Sequence, residues 1–225
     1  MKSALLILSV LLAFPFTGNT QSIKTLNKPI MEGLDEVTPY HDGLAAVRKG
    51  SQWGFIDPDG NLVIDFRNDL VWKQDAAPGD SGVDAIPYPR FRDGRCMFEA
   101  KGDDDIPVYG FIDRTGKIAI APEYLNLTEF TDGYAVGVFL KKTFRGKNKF
   151  QLNIFDYSFM EGVLNPEGEM VWPIGERQNI LMQKRRYEMP SLTARITGNG
   201  LLVVESESGK WEIRRMKLQP DSSRL

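Results

Sequence analysis

The sequence predicts an all-β protein made of tandem antiparallel hairpins, and three observations carry that expectation. One phrase recurs: "GFIDPDG" from Gly54 returns as "GFIDRTG" from Gly110 and as "GVLNPEG" from Gly162. Short runs rich in Val, Ile, Phe and Trp alternate with Gly, Pro and Asp at regular spacing, as strands separated by turns do. Beyond the first apolar run, no stretch sustains a 3.6-residue apolar period over about a dozen residues, so helices are not expected.

The repeated unit has two halves. The first reads aromatic-x-Asp-Gly and then an apolar strand: "YHDGLAAV" at Tyr40, "FRDGRCMF" at Phe91 and "FTDGYAVG" at Phe130. The second is the Gly54 phrase and its relatives, each followed by another apolar stretch. A worn fourth copy, "NGLLVVESESGKWEI", aligns with "DGLAAVRKGSQWGFI" through Asn199, Gly200 and Trp211. Self-similarity of this kind marks a repeat architecture. The chain therefore divides into a leader at 1–20, a lead-in at 21–39, three copies over 40–175, a degenerate fourth repeat at 176–217 and a frayed tail at 218–225. Four uneven copies favour an open, twisted, solenoid-like array, with a partly closed barrel or propeller also open at this point.

Asp57-Pro58-Asp59-Gly60 is a turn specification. Asp suits the first position because its side chain accepts backbone N–H bonds, and Pro suits the second because its φ is fixed. Gly then takes the left-handed conformation that closes the hairpin. Asp113-Arg114-Thr115-Gly116 and Asn165-Pro166-Glu167-Gly168 meet the same demands with different side chains. A calcium loop needs 6 to 8 oxygen ligands at fixed positions, and Arg114 and Thr115 replace Pro58 and Asp59 in the second copy. No metal or other cofactor is expected. The same alignment places Cys96 where other copies have Ala45, Ala135 and Leu202, a slot for a small or apolar group facing a core.

The sentence "F-x-D-G-L-A-x-V … W-G-F-I-D-x-x-G-x-x-V-I", nearly whole from Tyr40 to Ile64, resembles the WG-repeat family. The resemblance covers Tyr40 to Pro173 and, more faintly, Thr197 to Met216, with Tyr109 and Glu161 standing where Trp53 stands in the first copy. It implies a scaffold of antiparallel strands, common in secreted or surface-associated bacterial proteins, and no shared catalytic residue.

Met1-Lys2, the apolar run Ala4 to Phe16 and the polar "TGNTQS" match a secretory signal peptide, with cleavage expected near Thr20. The run is shorter than the roughly 20 apolar residues of a membrane span, and no other long apolar stretch follows. About 205 residues remain, enough for one domain. A secreted or periplasmic, cell-envelope location is expected. The charge is nearly balanced, 28 Lys and Arg against 30 Asp and Glu, which leaves no footprint for nucleic acid. With one Cys and one His in the chain, neither an internal disulfide nor a His-rich zinc site is available.

Function is expected where the pattern is interrupted, because insertions in repeat proteins map to loops that often bind. The first interruption, 67–90, holds Trp72 and Tyr88. Trp72 suits stacking on a sugar or on a partner's apolar surface, or tacking the loop to the sheet. The second, 139–159, reads as an extra hairpin turning at "RGKN", with Lys141, Lys142, Arg145, Lys147 and Lys149 near its tip. Such a cluster suits anionic lipid headgroups, acidic glycans or an acidic partner, or serves as a solvated tip that discourages edge pairing. Two lesser features are the basic stretch Met182 to Met189 and the acidic loop Asp103 to Asp105. No Gly-x-Ser-x-Gly, His-Glu-x-x-His or phosphate loop is present. The expectation is a non-enzymatic scaffold for a protein partner, with a glycan-binding or glycan-cleaving protein using Trp72, Tyr88 and nearby carboxylates as the alternative.

Overall fold

Asp-Gly and Asn-Gly open each unit because a two-residue hairpin turn of this type needs positive φ at both central positions. Asp42 and Gly43 have φ of 50° and 77°, and Asp93 with Gly94, Asp132 with Gly133 and Asn199 with Gly200 repeat the geometry. The structure is a computed structural model that describes residues 26–216. The expected leader 1–20 and tail 218–225 lie outside the described residues. Residues from Gly33 onward form one unit, and 26–32, which belong to a separate one, hold no strand.

The first repeat is a four-stranded antiparallel sheet in chain order: β1 (Glu36–His41), β2 (Leu44–Lys49), β3 (Gln52–Ile56) and β4 (Leu62–Arg67). The second supplies β5 (Cys96–Lys101), β6 (Pro107–Ile112) and β7 (Ile118–Leu127). The third supplies β8 (Ala135–Lys147), β9 (Asn153–Leu164) and β10 (Met170–Pro173). These two share one sheet of order β10-β9-β8-β7-β6-β5, with the short β11 (Gln178–Asn179) on β9. The fourth is β12 (Ala194–Gly198), β13 (Leu201–Glu205) and β14 (Trp211–Arg215). The array is open, and none of its sheets closes into a barrel.

Register makes the four repeats equivalent position by position. Val37 pairs with Val47, Leu70 with Phe98, Leu127 with Gly137, and Ala194 with Val204. Ala46 faces Phe55, Met97 faces Phe111, Val136 faces Val163, and Val203 faces Ile213. Two residues on, the Trp53 slot holds Tyr109, Glu161 and Trp211.

Each apolar core is a junction between successive repeats. The first joins Ala46, Trp53, Phe55 and Ile64 to Phe91, Cys96, Phe98 and Ile112. The second joins Met97, Tyr109, Phe111 and Ile120 to Phe130, Ala135 and Leu164. The third joins Val136, Val138 and Val163 to Ala194, Leu202 and Val204. Within the first two, the aromatic of aromatic-x-Asp-Gly plugs the preceding repeat edge-on. Phe91 meets Phe55 at 4.8 Å between ring centroids, and Phe130 meets Phe111 at 4.9 Å, an arrangement that adds about 0.5–1.5 kcal/mol to plain burial.

Two sets of hydrogen bonds reinforce the junctions. Each turn aspartate accepts from an amide of the following turn: Gly94 N donates to Asp42 (2.9 Å), Gly133 N to Asp93 (2.8 Å) and Asn199 N to Asp132 (2.7 Å). On the other side, Arg67 donates to the carbonyl of Gly116 (3.0 Å) and the Tyr124 hydroxyl to that of Gly168 (2.9 Å).

The second-half turns are built as the sequence specifies. Gly60, Gly116 and Gly168 have φ of 82°, 81° and 84°. Asp57 accepts from the amides of Asp59 (3.0 Å) and Asn61 (2.8 Å), and Asp113 and Asn165 do the same in their own turns. The long β8–β9 hairpin, however, does not turn at "RGKN". Its turn starts at Asn148, whose side chain accepts from Phe150 (2.8 Å) and Leu152 (3.0 Å). Gln151, at φ 62°, takes the place that glycine holds elsewhere, and Gly146 sits at a bulge within the strand pair.

Candidate interaction site

The interruption at 139–159 is an elongation of one repeat turn. In the first repeat, β2 and β3 are joined by Gly50 and Ser51 alone, whereas β8 and β9 run far past the core. β7 leaves β8 at Phe139, which pairs with Tyr124. On the other edge, β11 leaves β9 at Ser158, and the Ile180 amide makes the last bond, to Tyr157. Residues 143–156 thus have only each other as ladder partners and form a two-stranded arm extending roughly 17 Å.

A two-stranded hairpin alone is marginal in water, so its base matters. Lys142 donates to both carboxylate oxygens of Asp103 at 2.9 Å and lies 4.3 Å from the ring centre of Phe155. The Tyr157 hydroxyl donates to Asp103 as well (3.1 Å). The Lys142 bond holds the Asp103 carboxyl below its usual range, and Asp103 raises Lys142 in return. The neighbouring Asp104 accepts from the Lys184 amide (2.7 Å), and Asp105 lies 3.9 Å from the Lys184 ammonium. The acidic loop is therefore the clip that fastens the arm's base to the basic 182–189 segment.

Past the base, the arm is basic and aromatic at once. Phe144 stacks edge-on against its cross-strand partner Phe155 at 5.7 Å, and Arg145 reaches Asp156 at 3.6 Å. Lys141, Lys147 and Lys149 have no carboxylate partner among the described residues. Phe144, Phe150, Leu152 and Ile154 are exposed. The sequence pointed to the lysines and missed these four apolar residues, although their near alternation with polar ones in "FRGKNKFQLNI" was the available signal.

The 67–90 interruption is tied down along its length. Leu70 bridges to Phe98, Val71 N donates to Met97 O (3.2 Å), and the Val83 amide in the short 3-10 turn Gly82–Ala85 donates to Asn126 (3.2 Å). Trp72 meets Trp53 edge-on at 5.5 Å, with the Arg48 guanidinium 5.8 Å from its ring centre. Tyr88 has other neighbours: its hydroxyl is 3.3 Å from His41 Nε2 and Arg90 lies over its ring at 5.6 Å. Both rings pack against the first junction.

Cys96 is buried in that junction, and burial pushes its thiol well above the ordinary range. Burial, then Arg92 and Arg90, lower His41. A cleft of about 870 Å³ lies between the third and fourth repeats, lined by Glu161, Glu176, Glu205, Glu207 and Glu212, with Arg214 bonded to Glu212. Its innermost carboxylate, Glu161, is engaged by the amides of Thr193 (2.8 Å) and Ala194 (3.1 Å) and by the Thr193 hydroxyl. Among the described residues no three His, Cys, Asp or Glu side chains gather to hold a metal, and no helix is long and apolar enough to cross a membrane.

No curated protein and no solved structure matches the chain. Residues 33–53, 53–67 and 109–136 match the family described as the WG containing repeat. The first two stretches are the whole first repeat, from the approach to β1 through β4. The third runs from Tyr109 on β6 through the Asp132-Gly133 turn into β8. Over those stretches this β-repeat chain is similar to the WG-repeat family.

Proposed function

We propose that the chain is an exported, non-enzymatic scaffold that docks an acidic protein partner, at the cell envelope or outside the cell, through the arm at 143–156. The observation that carries this reading is the arm itself, an elongated repeat turn that exposes Phe144, Phe150 and Leu152 beside Lys141, Lys147 and Lys149. Aromatic side chains supply the desolvated anchors of a protein interface, and unpaired lysines steer an acidic partner to them in a salt-dependent way. The 67–90 loop supports the arm's role indirectly, since Trp72 and Tyr88 are already packed against the first junction. The buried, poorly ionised Cys96 favours a non-enzymatic reading, and the apolar run Ala4 to Phe16 favours export.

The test replaces Lys141, Arg145, Lys147 and Lys149 with Ser, leaving Lys142 in place at the base. Cross-linking in cell-envelope preparations recovers the partner with the parent chain and with Trp72→Ala, and loses it with the arm variant. Equal recovery by the arm variant overturns the proposal. So does binding to anionic lipid vesicles free of protein, which puts a bilayer in the partner's place.

A further inference from the structure

The two ends of the array expose the slots that fill its internal junctions. Phe55, Phe111 and Val163 are 0%, 1% and 0% exposed beneath the following repeat, whereas their equivalent in the last repeat, Ile213, is 71% exposed. The Trp53, Tyr109 and Glu161 slot, at 1%, 7% and 8%, opens to 55% at Trp211. At the other end, Phe91 and Phe130 are 0% and 2% exposed, but the equivalent Tyr40 is 49% exposed. Leu70, Leu127 and Ala194 are all nearly inaccessible, while Val37 is 59% exposed. The turn ladder is open in the same sense: Gly43 occupies the donor position at the first turn and Asn199 the acceptor position at the last.

We propose that the chain associates head to tail with a second copy of itself, Tyr40 and Val37 of one copy covering Ile213 and Trp211 of the next. The occupant is specified by the molecule's own rule. The face left open at the last repeat is the one that receives an aromatic-x-Asp-Gly aromatic inside the chain, and the first repeat offers that aromatic uncovered. The side chains involved are large and apolar, and a terminal repeat that ends an array needs a polar outer face. A contact between two different faces does not satisfy itself in a dimer, so copies add until a ring closes or an end is blocked.

The two faces are tested separately and then together by sedimentation velocity over a concentration series. The parent chain grows beyond the dimer as concentration rises. Tyr40→Glu and Ile213→Glu, both changes at exposed positions, each stay monomeric alone, because one of the two faces is lost from every copy. Mixed in equal amounts, they form a dimer and nothing larger, the intact first repeat of one docking on the intact last repeat of the other. Circular dichroism and melting temperature confirm that each variant is folded, and Val37→Glu and Trp211→Glu replace any that is not. A parent chain that is monomeric at every concentration overturns the proposal, as does a mixture that stays monomeric or a Tyr40→Glu variant that dimerises alone. The Ser-substituted arm variant associates like the parent chain, which separates this outcome from the partner docking above.

Discussion

The second and third junctions join repeats by the same register but with different chemistry. Between the second and third repeats, Phe130 plugs onto Phe111, Tyr109 fills the Trp slot, and Gly133 donates to Asp93. Between the third and fourth, Val163 and Thr197 replace the two rings and Glu161 sits in the Trp slot, while an amide still donates to Asp132. The turn chemistry survives in the worn repeat and the packing pair does not. Glu161 offsets part of that loss by holding Thr193 and Ala194 at the entry to β12, so a polar clip stands where an aromatic ring stands in the other repeats. The repeat's grammar is thus two separable devices, a local turn that sets register and a long-range plug that sets stability.

The largest effect is expected at the plugs. Phe111→Ala should cost about 3–5 kcal/mol and Val163→Ala about 2 kcal/mol in denaturant unfolding, since the ring leaves the larger cavity. Equal losses would show that the third junction is as strong as the second and break the comparison. Next come the turns, which the comparison treats as alike. Gly116→Val and Gly168→Val should each cost about 1–3 kcal/mol, because both glycines have positive φ and an added Cβ meets Ile64 or Ile120. A marked inequality between them, by the same measurement, would mean that the turns are not interchangeable.

The smallest effect sharpens the comparison through pH. Burial raises the Glu161 carboxyl above the ordinary value of 4.5, outweighing the bonds from Thr193 and Ala194 that lower it. A raised folded-state value means that the unfolded chain ionises first. Its stabilising contribution is therefore full below about pH 4.5 and is lost as pH rises through the raised value. Glu161→Gln keeps an acceptor for the amides without the charge, so its melting temperature should vary less with pH over that window and be no lower than the parent's at neutral pH. A lower value at neutral pH would assign the junction's strength to the charge itself.

What the sequence made legible was local. Asp57, Asp113 and Asn165 were readable as turn-formers because a turn's side-chain oxygen, its proline and its glycine lie within four residues. Cys96 was readable as a core slot because its aligned counterparts, Ala45, Ala135 and Leu202, are small or apolar. The arm is legible as a hairpin, but "RGKN" points to a turn spanning Gly146 and Asn148, whereas the turn only begins at Asn148, whose side chain supplies it with Gln151 in the glycine's place. The junctions were not readable, since Asp42 and Gly94 are 52 residues apart and the Phe55–Phe91 contact is non-local. Glu161 looked like simple loss of Trp because Thr193, which gives it a role, lies 32 residues on in an unaligned connection. The glutamates of the cleft come from two repeats and the segment between them, and no short motif gathers them.

The central claim is that successive repeats are locked turn to turn, and backbone hydrogen exchange at the glycine amides tests it most directly. Gly43, Gly94 and Gly133 sit at the same position of the same turn. Gly94 and Gly133 donate to the aspartate of the preceding repeat, and Gly43 has no such acceptor among the described residues. At a concentration too low for association between copies, the amides of Gly94 and Gly133 should exchange slowly, and together with their junctions, while that of Gly43 exchanges at the rate of an open turn. Equal and fast exchange at all three glycines would contradict the account.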